Sequence, residues 1–169
     1  MTTTENPITG EHADLLATLD KHRNFLRHTT KGLTDEQAAL TPTVSALCLG
    51  GLIKHVTQVE RRWFDFTQRG AEAMSGGFEE HMAGFRMEPG ETLAGLLAAY
   101  DDAAKRTDAM LTSLADLNES HPLPKAPWFE PGASWSVRRV MLHVIAETSQ
   151  HAGHADIIRE AIDGQKTMG

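Results

Sequence analysis

The feature that most constrains this chain is residues 134–163, a run of thirty with a helical pattern and a row of polar side chains. It reads SWSVRRVMLHVIAETSQHAGHADIIREAID, in which His143, Glu147 and His151 recur at every fourth position and His154 follows three residues later. At about 100° per residue, these side chains fall within an arc of roughly 80° on one helix face. A helix that faces a core normally places aliphatic residues there, so this row indicates a metal site or a polar surface.

The spacing also limits how many of these side chains one ion can share. Residues three or four apart on a helix lie about 5–6 Å from one another, whereas the outer two of the row are about 16 Å apart along the axis. One metal therefore cannot use all four. Glu147 and His151 form the central pair, and His143 with Glu147, or His151 with His154, are the competing pairs.

A third ligand would have to come from a neighbouring helix, because two residues of one helix supply only half of a tetrahedral site. His55 is the best candidate, since it is the one histidine of the second predicted helix and lies beside an aliphatic stripe. The alternative is structural, because Glu147 and His151 also have the spacing of an ordinary surface pair worth about 0.2–0.5 kcal/mol. Spacing alone leaves both interpretations open.

The rest of the chain predicts an all-α fold. Apolar residues make up 40% of the 169 residues and aromatic residues only 6%, which suits packed helices better than sheets. The apolar spacing predicts four long helices, at about 11–30, 45–68, 91–117 and 134–163. The connection 70–90 is long enough for the second and third helices to run parallel, so we expect a four-helix bundle with one long crossover between them. We expect one domain, 1–169, with residues 1–10 as a loose arm.

Local signals refine this plan. Thr34 and Gln37 have the spacing of a capping box, and Ser134 is the expected N-cap of the last helix. Gly50 and Gly51 lie inside the second predicted helix. Each glycine costs about 1 kcal/mol relative to alanine, which is tolerable if another helix backbone passes close to them.

Several reactive or charged residues have both a structural and a functional interpretation. Cys48, the one cysteine, is more often a small buried side chain than a thiol nucleophile in such a position. Arg138, Arg139 and Arg159 flank the histidine row. They are candidates for binding an anionic group of a substrate, although exposed helix faces commonly carry arginine.

Charge and hydropathy narrow the classes of partner. The net charge of −7 argues against a nucleic-acid backbone or an anionic membrane as the main partner. No segment has the roughly eighteen consecutive apolar residues of a membrane span, and the start of the chain lacks the basic and apolar regions of a signal peptide. The expected location is the cytoplasm. Trp128 and Phe129, on the proline-rich connection before the last helix, indicate a cap over a site or a contact surface.

Two segments give the chain a family resemblance. LGGLIKHVTQVERRWF and SWSVRRVMLHVIAETSQHAGHADIIRE resemble the two signature regions of the DinB-like four-helix metalloproteins, and more narrowly their branch of mycothiol-dependent S-transferases. The resemblance covers almost the full chain. It implies a divalent ion, with Zn²⁺ favoured and Ni²⁺ as the alternative, held by one histidine of the second helix and a spaced pair of the last. These positions match His55, Glu147 and His151, although many relatives have histidine in place of Glu147.

The same resemblance gives the neighbouring polar residues supporting roles. His154 falls where many relatives carry glutamine, so we expect it beside the ligands, and whether it or His143 joins them stays open. Arg139 and Arg159 remain candidates for contact with a substrate.

The function implied by the resemblance is transfer of a low-molecular-weight thiol, with mycothiol as cosubstrate, to an electrophilic small molecule. A free thiol has a pKa of about 8.5, and metal coordination deprotonates it to the attacking thiolate. The chain would then supply no catalytic residue beyond the metal ligands. Two alternatives stay open: a mycothiol-dependent isomerase or metal-dependent hydrolase, and a non-catalytic, stress-related bundle that binds a ligand or a metal. The resemblance also suggests a homodimer, which no sequence feature requires.

Overall fold

Four long helices and one short helix make up most of the described residues, 10–74 and 83–167, of this computed structural model. The helices are α1 (Glu11–His28), α2 (Asp35–Ala38), α3 (Leu49–Arg69), α4 (Leu93–Ser113) and α5 (Val137–Asp163). A 3₁₀ turn, Gly70–Met74, follows α3, and strands β1 (Ser120–Pro122) and β2 (Ser134–Ser136) pair antiparallel as a small ribbon. The predicted all-α four-helix bundle is confirmed. The expected arm lies outside the described residues except at Gly10. Within the described ranges, no helix has the length and apolar character needed to cross a membrane.

The long connection between α3 and α4 lets these two helices run parallel, as predicted. Lys54, near the start of α3, pairs with Glu91 just before α4. The hydroxyl of Thr67, near the end of α3, lies 3.5 Å from Sδ of Met110, near the end of α4. α5 packs against both α1 and α3, and α3 packs against both α4 and α5.

Local sequence signals set where the helices begin. The predicted capping box is present, with Thr34 and Gln37 bonding to each other's backbone N–H. The prediction for α5 is wrong by one turn at its start. Ser134–Ser136 pairs with Ser120–Pro122 as the ribbon, and Ser136 rather than Ser134 is the N-cap. A three-residue strand is too short for an alternating pattern to reveal it.

A neighbouring backbone explains the two glycines of α3. A Cβ on Gly51 would overlap the carbonyl of Phe85, and one on Gly50 would overlap the side chain of Met87. The predicted close approach is confirmed, although the neighbour is the connection before α4 and not another helix. Because this backbone comes so close, the Phe85 ring stacks on His55, with 3.9 Å between ring centroids.

A buried ion pair separates the two hydrophobic clusters of the core. Arg23 of α1 and Glu60 of α3 are both fully buried and pair with each other, and Arg23 also donates to Asp108 of α4 at 2.9 Å. Burial alone would lower the pKa of Arg23, but Glu60 and Asp108 together raise it. The guanidinium therefore stays charged and joins three helices.

Candidate metal centre

The three predicted ligands come together between α3 and α5. His55 of α3 and His151 of α5 both direct Nε2 towards Oε2 of Glu147, at distances of 3.9 and 3.6 Å. One ligand atom from each residue lies within 4.8 Å of the other two. Within residues 10–74 and 83–167, this is the one group of three histidine, cysteine or acidic side chains close enough together to hold a metal ion.

The donor set fits a divalent ion of the zinc type. Two imidazole nitrogens and one carboxylate oxygen are the protein ligands of many catalytic zinc sites, which keep a fourth position open. With bonds of about 2.0–2.2 Å, ligand atoms around a tetrahedral ion lie about 3.4 Å apart. The observed separations from Glu147, 3.6 and 3.9 Å, are close to this value, and all three ligand atoms lie within 4.8 Å of one another, so the three side chains can close around an ion by contraction. Both histidines are buried and Glu147 is partly exposed, so the centre is open to solvent on the side of the carboxylate.

The electrostatics of the site also favour a cation. The imidazoles of His151 and His55, directed at its carboxylate, hold the pKa of Glu147 well below its usual range although burial opposes the shift. The carboxylate is therefore ionised at neutral pH. A neutral imidazole is the metal-binding form of histidine, so the three side chains together would present one negative charge to a divalent ion.

Two side chains support the histidine rings from outside the ligand group. His154 lies one turn beyond His151, and the Nδ1 atoms of the two rings are 3.4 Å apart. His151 thus faces Glu147 through one ring nitrogen and His154 through the other. Phe85 stacks on His55 with 22° between the ring planes. The position of His154 beside His151 suits the supporting role predicted for it. No sequence pattern pointed to Phe85.

His143 stands beside the three residues but outside their group. Its Nε2 is 4.0 Å from Oε1 of Glu147, the oxygen that the other two histidines do not face. Its ring contacts Trp63 and Trp135, with centroids 4.7 and 5.2 Å away. Burial lowers the pKa of His143; Glu147 opposes this shift and Arg139 adds to it. The imidazole is therefore uncharged at neutral pH.

The flanking arginines of α5 have different surroundings. Arg139 is exposed, and its guanidinium lies over the ring of Trp135, 4.8 Å from the centroid. Arg159 is buried, and each nitrogen of its guanidinium has a partner. These partners are Asp163, Gln165 and the backbone carbonyls of Thr29 and Lys31. This geometry favours a structural role for Arg159, holding the end of α5 to the segment after α1, over the predicted contact with substrate.

The cysteine has a structural position. Cys48 is buried and is the N-cap of α3, where its Sγ accepts a hydrogen bond from the backbone N–H of Gly51 at 3.4 Å. The predicted buried environment is confirmed. Since this is the one cysteine of the chain, the chain offers no exposed thiol of its own to the candidate centre.

Comparison with known proteins identifies the family. A family model described as mycothiol-S-transferase matches residues 14–164, which include all three candidate ligands. The chain belongs to the mycothiol-S-transferase family. This family is DinB-like, so the resemblance seen in the two sequence segments is confirmed.

One solved structure shows the same fold as this member of the mycothiol-S-transferase family. It is the crystal structure of a conserved protein from Enterococcus faecalis, with a TM-score of 0.67 and 15% sequence identity. The superposition covers 94% of this chain and 100% of that one. At this identity the likeness shows the fold alone. No curated protein matches the chain.

Proposed function

We propose that this chain is a divalent-metal-dependent thiol S-transferase that joins a low-molecular-weight thiol, mycothiol, to an electrophilic small molecule. The observation that carries the proposal is the convergence of His55, Glu147 and His151 in a chain of the mycothiol-S-transferase family. Zn²⁺ is the proposed ion and Ni²⁺ the alternative, because imidazole suits both metals. The proposed role is detoxification of electrophiles in the cytoplasm, where small thiols stay reduced.

Each side chain of the centre has a task in this proposal. A divalent ion held by His55, Glu147 and His151 would supply the positive charge that deprotonates a thiol at neutral pH. The ionised Glu147 offsets part of that charge and leaves one side of the centre open to solvent. His154 orients the ring of His151 through Nδ1, as outer partners of metal-binding histidines do. Phe85 limits rotation of the His55 ring by stacking on it.

Formation of a new C–S bond tests the proposal. Untagged protein loaded with Zn²⁺ is mixed with mycothiol and an alkyl halide, and the thioether is followed by mass spectrometry against the uncatalysed rate. We expect His55→Ala and His151→Ala to lose the enzymatic rate. Cys48→Ser, which keeps an N-cap side chain, is the control and should retain the rate because the thiol comes from the cosubstrate.

Other outcomes would contradict thiol transfer in specific ways. If the histidine variants conjugated the thiol at the wild-type rate, the metal centre would take no part in the reaction. A product without a new C–S bond would favour the isomerase or hydrolase alternative, and tight binding of the electrophile with no product would favour a binding protein.

A further inference from the structure

We propose that Arg139, His143 and Trp135 form an acceptor subsite that selects elongated, planar electrophiles with an anionic group at the end far from the reacting carbon. The inference rests on the proposed thiol transfer and names the class of the second substrate. The first observation is that the row of side chains containing Glu147 and His151 continues towards the beginning of α5. Arg139, His143, Glu147 and His151 occupy every fourth position and therefore lie along one face of the helix.

Exposure along this row shows from which direction a substrate can approach. The side chain of His151 is 11% exposed, those of Glu147 and His143 are 28% and 25% exposed, and Arg139 is exposed. His55, on the opposite side of the centre, is 4% exposed. A molecule that reaches the open side of Glu147 along α5 therefore passes over His143, and its other end lies towards Arg139.

Aromatic rings form a firm support beside this path. Trp63 and Trp135 stack with centroids 4.6 Å apart and 15° between their planes. Phe129, from the connection between β1 and β2, packs edge-on against both of them at 6.4 and 5.9 Å. His143 contacts the same two tryptophans and is partly exposed, so its ring borders the path. Trp63 is buried, and the two faces of Trp135 are covered by Trp63 and by the Arg139 guanidinium. A planar group on this path therefore contacts the exposed part of the His143 ring and the edge of Trp135, where it gains apolar burial and edge-to-face contacts.

The charge at the far end of the path belongs to an arginine without an acidic partner. In the described part of the chain, no carboxylate pairs with Arg139, whereas Arg138 pairs with Glu11 and Arg159 with Asp163. Arg139 is held instead by stacking on Trp135, 4.8 Å from the ring centroid. Stacking leaves the N–H edge of a guanidinium available, and this edge matches a carboxylate with two parallel hydrogen bonds.

The spacing along α5 sets the length of the acceptor. Arg139 and Glu147 are eight residues apart, or about 12 Å along the helix axis. This distance suits two linked aromatic rings better than one. In the transfer step, the thiolate sulfur forms a bond to the terminal carbon and the leaving group departs with its electron pair. The thiol proton passes to solvent, so no oxidant or reductant is needed.

Three benzylic bromides test the subsite. They are para-bromomethyl biphenyl carboxylate, the same biphenyl without its carboxylate, and para-bromomethyl benzoate. With Zn²⁺-loaded wild type and mycothiol, we expect kcat/KM for the long acid to exceed that of each of the other two by about tenfold, the value of one charge-assisted contact. Arg139→Gln should bring the ratio of long acid to neutral biphenyl close to one, mainly through KM. Arg138→Gln removes the same charge one residue away and should keep the wild-type ratio.

The outcomes separate the subsite from the proposed function. Turnover of all three bromides without preference, or an Arg139→Gln variant that keeps the preference, overturns the subsite and leaves thiol transfer standing. If no bromide is turned over, thiol transfer to this class fails, and binding decides the subsite. Calorimetry with the unreactive para-methyl biphenyl carboxylate and the Zn²⁺-loaded protein should then show about tenfold weaker binding to Arg139→Gln than to Arg138→Gln. Equal binding overturns the subsite.

Discussion

At the scale of single residues, the candidate centre depends on which atom each side chain presents. Glu147 faces His55 and His151 with one carboxylate oxygen and His143 with the other. His151 in turn faces Glu147 with Nε2 and His154 with Nδ1. One helix face therefore carries two proposed ligands, Glu147 and His151, one supporting side chain, His154, and one neighbouring histidine, His143, outside the ligand group.

Removal of His154 tests this division of roles. We expect His154→Ala to weaken Zn²⁺ binding by about tenfold, the lower end of the effect of losing an outer partner, while the saturating stoichiometry stays unchanged. A chelator-competition titration measures both quantities. His154→Gln should recover most of the affinity because an amide can also bond to Nδ1 of His151. Complete loss of binding in His154→Ala would instead make His154 a ligand.

The sequence predicted the members of the centre but left the choice among the pairs on α5 to family resemblance. All three competing pairs have one-turn spacing, so helical geometry cannot rank them. The position of His55 favours the pair of Glu147 and His151, because His55 lies next to both of them. That position depends on the packing of α3 on α5, which is a long-range property. The Phe85 contact was missed for the same reason.

At the scale of elements, the centre depends on how closely the connection before α4 approaches α3. Gly51 leaves room for the backbone of Phe85, and the ring of Phe85 then covers His55. The sequence anticipated the approach, because paired glycines inside a helix are costly unless something packs against them. It did not anticipate the β-ribbon, since Ser134 and Ser136 are equally good N-caps and only strand pairing selects the second.

Substitution of two helical glycines tests how closely the backbone of Phe85 approaches α3. Gly51→Ala should lower the free energy of unfolding by about 1–3 kcal/mol, because the added methyl group must displace the Phe85 backbone. Gly153→Ala is the matched control on α5, where a Cβ would meet nothing within 4 Å. It should raise the free energy of unfolding by about 0.5–1 kcal/mol through helix propensity. Urea denaturation measures both, and a stabilising Gly51→Ala would refute the close approach.

At the scale of the whole molecule, charged groups fix the helices that carry the centre. The buried pair of Arg23 and Glu60, extended by Asp108, joins α1, α3 and α4. Arg159 joins the end of α5 to the segment after α1. Hydrophobic spacing predicted the four helices, but it could not predict that a charged pair would occupy the core between two apolar clusters, because isolated charges there are costly.

Removal of one charge of the Arg23–Glu60 pair should lower the free energy of unfolding more than replacement of both residues by apolar ones. Glu60→Ala leaves Arg23 buried with only the half-exposed Asp108 as partner, and we expect a loss of about 3–5 kcal/mol in the free energy of unfolding. The double variant Arg23→Met/Glu60→Met removes both charges and should regain most of that loss. Urea denaturation checks the order, because urea is uncharged and does not screen the ion pair. A double variant less stable than Glu60→Ala would contradict it.

The most direct test of the proposed metal centre is the metal content of untagged protein as purified, measured by elemental mass spectrometry. Wild type is compared with Glu147→Ala/His151→Ala, which removes both proposed ligands of α5. We expect about one divalent ion per wild-type chain and almost none in the double variant, as for a site with three protein ligands. Wild type that holds no ion even after Zn²⁺ or Ni²⁺ is supplied, or a double variant that retains the wild-type content, would contradict the metal centre and with it metal-dependent thiol transfer.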